Sequence, residues 1–285
     1  MWPCSPPWLD PLHPSAPGKT SISRAGLRVR SVGEVGSPIV FLHGLGASLR
    51  YWGRAYDGLA ANNRLLFVDL LGFGGSAKPD GLYDFEQHCA ALRDTLVERD
   101  VSGAVLVAHS AGALIGMWLS RRDPGLVASV IAFGAPLYPS EGVARRHLRS
   151  LGPLARLMAD ESPLAARLCG FMCDHRNVAR RIAPVFAPRL PAQVASDAVD
   201  HIWDSYHGTF ELLIRQDHMS RLVADVGTKL TLAYGSDDRT CPITIAAQVA
   251  GGSVRIRTAP SGDHHLPLRR SGWCSDLIAE VVASR

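Results

Sequence analysis

The sequence predicts an α/β fold, a mostly parallel central sheet flanked by helices, with a helical cap inserted. Three observations carry this. Short continuous apolar runs, "PIVFLHG", "RLLFVDL" and "GAVLVAHS", end in Gly, Asp or Ser, as strands buried on both faces do. Longer stretches of helical period alternate with them, a rhythm that implies parallel pairing through right-handed crossovers. The rhythm lapses over 135–227, a stretch too long for a plain loop, and then resumes.

Taken in order, residues 1–24 are rich in proline and read as an extended arm. "GLRVRSVG" alternates and reads as an early, edge-like strand. Between the second and third apolar runs, Asp84 to Arg99 is a helix with Asp84 as N-cap and Phe85, Cys89, Leu92 and Leu96 on one face. "AGALIGMWLSRR" is an apolar helix and "LVASVIAFG" a buried strand. Helical stretches such as "VARRHLRSLGPLARLMAD" and "DSYHGTFELLIRQDHMSRLV" fill the lapse. "TKLTLAYG", a helix from about Ile243, "SVRIRTAP" and a helix from about Trp273 complete the chain. The expected division is an arm (1–24), a core (25–134 and 228–285) and a cap (135–227).

Composition narrows the function classes. The 285 residues are 47% hydrophobic and 20% charged, ordinary for a globular protein. The net charge is only +4, and its 27 arginines are scattered, which argues against a nucleic-acid partner. No apolar run reaches the ~18 residues of a membrane span. The N-terminus lacks the basic start and apolar core of a secretory signal, so the expected location is cytoplasmic. Six cysteines are dispersed. Cys169 and Cys173 stand four apart with no CxxC or Cys/His cluster in the sequence, so reduced thiols are expected rather than zinc.

Chemistry concentrates where strands end. "HGLGAS" follows one strand, and its Gly44 and Gly46 let backbone approach a ligand. "AHSAG" places Ser110 between a strand and an apolar helix. A serine there is either a helix cap or the nucleophile of a tight strand-to-helix turn, G-x-S-x-G with Ala108 in place of the first glycine. "AYGSDDRTCP" offers Asp237 and Asp238, and "SGDHHLPL" offers His264 and His265. Serine, aspartate and histidine, each after its own strand, suit a hydroxyl activated by an imidazole that a carboxylate orients.

With these motifs the chain resembles the α/β-hydrolase superfamily from about Leu27 onward. The resemblance rests on "HGLG", "DLLGFGGS", the serine turn, "GSDDRTCP" and "DHHLPL". It implies Ser110 as nucleophile, Asp238 as acid and His264 as base, with Asp237 and His265 as the neighbouring alternatives. Leu45 and Ala111 would supply the oxyanion amides. Asp69 would tie turns together, and His109 would pack. No metal or organic cofactor is implied, and the partner expected is a small-molecule substrate. A serine at the turn separates the chain from the dehalogenase and epoxide-hydrolase branches. It favours an ester, lactone or thioester of an apolar or aromatic substrate, with C–C bond hydrolysis, ligand binding or a lyase or cyclase reaction as alternatives. His43, Gly44, His109, Trp203, Tyr206, Phe210 and His265 are the pocket candidates. Other apolar cap residues, among them Leu154, Phe171 and Met172, either wall a pocket or join cap helices. Asp217, His218 and His207 receive no role, and the arginines of the cap are expected to form a solvated face.

Overall fold

A computed structural model shows how these runs assemble; it describes residues 10, 12–13, 16–160, 162–214, 219–252 and 254–285. Cys4, Asp217 and His218, and the side chain of Leu154, lie outside the described residues. The strands are β1 (Lys19–Ile22), β2 (Arg28–Val32), β3 (Ser37–Leu42), β4 (Asn63–Val68), β5 (Ala104–His109), β6 (Val127–Phe133), β7 (Leu230–Gly235) and β8 (Arg255–Ala259). They form one sheet in the order β1-β2-β4-β3-β5-β6-β7-β8. From β4 to β8 every pairing is parallel, while β2 joins β4, and β1 joins β2, antiparallel.

Alternation within the buried strands divides the core into two layers. On β5, Leu106 and Ala108 face α1 (Phe85–Glu98) and α2 (Ala111–Arg122), whereas Val105 and Val107 face α12 (Ser271–Ala283). Both faces are apolar because both are covered. Asp84 caps α1, its carboxylate accepting from the Gln87 N–H at 2.9 Å.

Between β6 and β7 the described chain is helical: α3 (Glu141–Ser150), α4 (Pro153–Ala159), α5 (Pro163–Asp174), α6 (Arg176–Phe186), α7 (Ala192–Asp197), α8 (Trp203–Ile214) and α9 (Met219–Val226). The helical stretch from Val143 to Asp160 divides at Gly152 (φ 139°), where Pro153 starts α4. Beyond β7 come α10 (Ile243–Ala246) and α11 (Leu266–Arg269). The insertion is stitched to the sheet by buried polar contacts. Ser48 Oγ donates to Asp197 at 2.5 Å, Ser205 Oγ to the Gly72 carbonyl at 3.0 Å, and His88 pairs with Thr209 at 2.9 Å.

Two expectations need correction. The arm of residues 1–24 contains β1, an exposed strand held by backbone pairing to β2, so β2 is not the edge. Within the insertion, Phe171 and Met172 are exposed rather than buried between helices, because Ala165 and Cys169 occupy the inner side of α5; the Phe171 ring lies 4.4 Å from that of His175.

Candidate active site

The sheet order reverses between β3 and β5, and ligands of open parallel sheets bind at such a point, beyond the strands' C-terminal ends. The loop after β3 and the turn after β5 meet there. Ser110 stands at φ 52° and ψ −124°, a region an L-residue enters only under strain. Its side chain makes no capping hydrogen bond, so the helix-cap reading fails. The turn is tight because Gly112 lies against β3: a methyl group there would collide with the His43 carbonyl oxygen. Ala108, in place of a first glycine, is fully buried in the core beside α2.

The strands on the other side of β5 carry a carboxylate–imidazole pair. Asp238 follows β7 and is buried; its Oδ2 lies 3.0 Å from His264 Nδ1, and its Oδ1 accepts from the N–H groups of Thr240 (2.9 Å) and Cys241 (2.8 Å). Asp237, one residue earlier, is exposed. Gly134, at the end of β6, presses on the pair: a Cβ there would sit 3.1 Å from His264 Nδ1 and 3.3 Å from Asp238 Oδ2. Burial pulls the His264 pKa down, but Cys241 beside it and the hydrogen bond and charge of Asp238 outweigh burial, holding it above the ordinary imidazole value.

Neighbouring histidines are kept neutral. Burial lowers His43; its Nε2 accepts from the Leu70 N–H (3.0 Å), so Nδ1 carries the proton and donates to the Gly44 carbonyl at 2.8 Å. His109 stacks on Tyr51 with ring centres 4.6 Å apart, and its Nε2 donates to the His264 carbonyl at 2.9 Å. That contact ties the serine turn to the histidine loop. His265 has its pKa lowered to about 4 by burial, with the His264 charge adding to the effect. Asp69 is committed elsewhere, to Arg28 Nε (2.5 Å) and the N–H groups of Leu49 (2.6 Å) and Gly75 (2.8 Å).

The segments expected to supply the two amides adjoin the serine. Ala111 opens α2, so its N–H is one that a helix leaves without an internal acceptor. Leu45 follows Gly44, where a Cβ would fall 3.0 Å from Ser110 Cβ. Tyr206 reaches the same loop, its ring 3.6 Å from the Cβ position of Gly46, and Phe210 stacks behind it at 6.4 Å. Trp203, one turn earlier, stacks instead on His207, which lines a 690 Å³ cavity with Phe85 and Trp118. Another cavity, of 490 Å³, opens beside His264 and His265 and is lined also by Asp237, Asp263, Arg189 and Arg269. The sequence reading missed Gly134 and Cys241, since nothing about a lone glycine or cysteine marks its distance from a histidine. It also missed His201, which the fold brings to 3.3 Å from Cys169. Among the described residues no group of three or more His, Cys, Asp or Glu could hold a metal ion, and no helix is long and apolar enough to cross a membrane.

Residues 39–277 match the model of the Alpha/beta hydrolase family. The chain belongs to that family. Among relatives of this alpha/beta hydrolase is the "Probable lysophospholipase BODYGUARD 4" of Arabidopsis thaliana, 28% identical over 87% of this chain and 67% of that protein. The match spans about half to two thirds of the length of the Arabidopsis relatives named BODYGUARD 3, 4 and 5. Solved structures share the fold. E-2-(Acetamidomethylene)succinate Hydrolase superposes with a TM-score of 0.72 at 16% identity, covering 93% of this chain and 99% of that chain. The esterase RhEst1 from Rhodococcus sp. ECU1013 superposes at 0.68 and 20%, covering 94% and 98%.

Proposed function

We propose that the protein is a serine hydrolase of carboxylic-ester bonds, with Ser110 as nucleophile, His264 as base and Asp238 as its orienting acid. The observation that carries this is the buried Asp238–His264 pair at 3.0 Å, joined through the His109 contact to the strained turn that holds Ser110. In this reading Ser110 Oγ attacks the acyl carbon while His264 Nε2 takes its proton. The oxyanion that forms is met by the N–H groups of Leu45 and Ala111, aided by the N-terminal dipole of α2. As the ester C–O bond breaks, His264 returns the proton to the leaving oxygen. Water, deprotonated by the same imidazole, then releases the acid and frees Ser110. The insertion, over residues 135–227, acts as a cap, with Tyr206 and Phe210 meeting an apolar acyl or aromatic group. The designation of the Arabidopsis relatives as probable lysophospholipases supports an amphiphilic ester as the substrate class.

The test is release of p-nitrophenol from acetate through decanoate esters by wild type and Ser110→Ala, with fluorophosphonate labelling in parallel. Turnover that falls by roughly 10⁴–10⁶ in the variant, with labelling lost, is expected. Absence of both turnover and labelling in wild type would refute the reading.

A further inference from the structure

We propose that α5 and α6 form a docking face for an anionic phospholipid surface. On α5, Leu164, Leu168, Phe171 and Met172 are exposed, at spacings of four, three and one. On α6, Val178, Ile182, Val185 and Phe186 are exposed at the same spacings. Each set is one stripe of a helix. The inner sides bury only small residues, Ala165 and Cys169 on α5 and Ala179 on α6. This inverts the usual arrangement, in which the large apolar side chains turn inward. Phe171 is 62% exposed, Val185 74% and Phe186 83%. Eight such side chains on two adjoining helices exceed the singly scattered apolar residues normal on a surface.

Charge selects the occupant. Residues 162–190 hold five arginines and one aspartate. Arg176 and Arg180 are engaged, with the His201 carbonyl and Asp200, but Arg167 and Arg181 are exposed and form no ion pair among the described residues. An apolar stripe bordered by arginine is the arrangement with which a helix lies in a lipid interface, side chains in the acyl region and cations at the phosphates. A second copy docked on this face would instead bring two arginine sets together. The face also leads toward the candidate site: Arg189, three residues beyond α6, lines the 490 Å³ cavity with His264, and its carbonyl accepts from Arg269 at 3.1 Å.

The proposal does not depend on Ser110 acting as a nucleophile, and its test reads binding rather than turnover. Full-length protein is sedimented with vesicles of phosphatidylcholine alone or mixed with phosphatidylserine. Binding to the mixed vesicles that weakens with added salt is expected. Phe171→Gln with Phe186→Gln should lower the partition coefficient at least tenfold, and Arg167→Glu with Arg181→Glu should remove the preference for phosphatidylserine. Unchanged thermal midpoints in both variants certify the fold, since all four side chains are exposed. Equal partitioning of wild type and the phenylalanine variant, or no binding to either vesicle, overturns the proposal. So does wild-type dimerisation that the phenylalanine variant abolishes without any vesicle binding, which would assign the stripe to a second copy.

Discussion

Asp238 and Asp237 share one turn, but only Asp238 directs its carboxylate inward, onto His264 and two backbone N–H groups. Ser236 Oγ donates to Asp237 at 3.2 Å on the open side of that turn. On the proposed mechanism Asp238→Asn should cost about 10⁴ in kcat, while Asp237→Asn stays close to wild type. The residual activity of Asp238→Asn carries a second signature. The carboxylate favours the protonated imidazole, so its removal lowers the His264 pKa. Because the base must be neutral, the acid limb of kcat/KM should move to lower pH. A limb that stays in place, or a large loss in Asp237→Asn, would reverse the assignment. The family resemblance favoured Asp238 and kept Asp237 as the alternative; strand position alone does not separate them, since both precede the same polar loop.

At the scale of elements, backbone proximity separates glycines that look alike in sequence. Gly112 on α2 abuts the β3 backbone, whereas a Cβ on Gly170 of α5 would meet nothing within 4 Å. Helix propensity favours alanine over glycine by ~1 kcal/mol at either position. Gly170→Ala should therefore raise stability by about that amount, and Gly112→Ala should lower it by about 1–3 kcal/mol through overpacking, both read from urea unfolding. The strands β3 to β7 were legible because burial on both faces leaves an uninterrupted apolar run. β1 was not: "KTSI" is exposed along its length and is a strand only because β2 offers backbone partners. The two stretches quoted as helical from the insertion, which hold α3, α4, α8 and α9, were legible, whereas α5 and α6 were not singled out; a helical period in any case defines a stripe and not what the stripe faces. The outward turn of Phe171 depends on which neighbours fill the inner side.

For the whole molecule, buried imidazoles set an acid limit. Burial lowers His88, His201 and His265 to about 4, and lowers His43 and His109 as well. Between their folded values and the ordinary 6.5 the unfolded chain binds more protons, so stability is complete above that range and declines as pH falls through it. His264 has the opposite sign, its contribution fading as pH rises through its raised value. Thermal midpoints should fall from pH 7.5 to pH 5, with His88, His201 and His265 each contributing on the order of 1–2 kcal/mol at the lower pH. His88→Gln should flatten that slope, and a wild-type midpoint independent of pH would contradict it. The contact between His109 and the His264 carbonyl bears on when this molecule can act at all, since its partners stand 155 positions apart. Translation is vectorial, and at about 5–20 residues per second roughly 10–30 s separate the two on the ribosome. On the proposed mechanism the growing chain holds its serine through that interval without the imidazole of His264 to activate it, and is harmless to the esters around it until β8 docks.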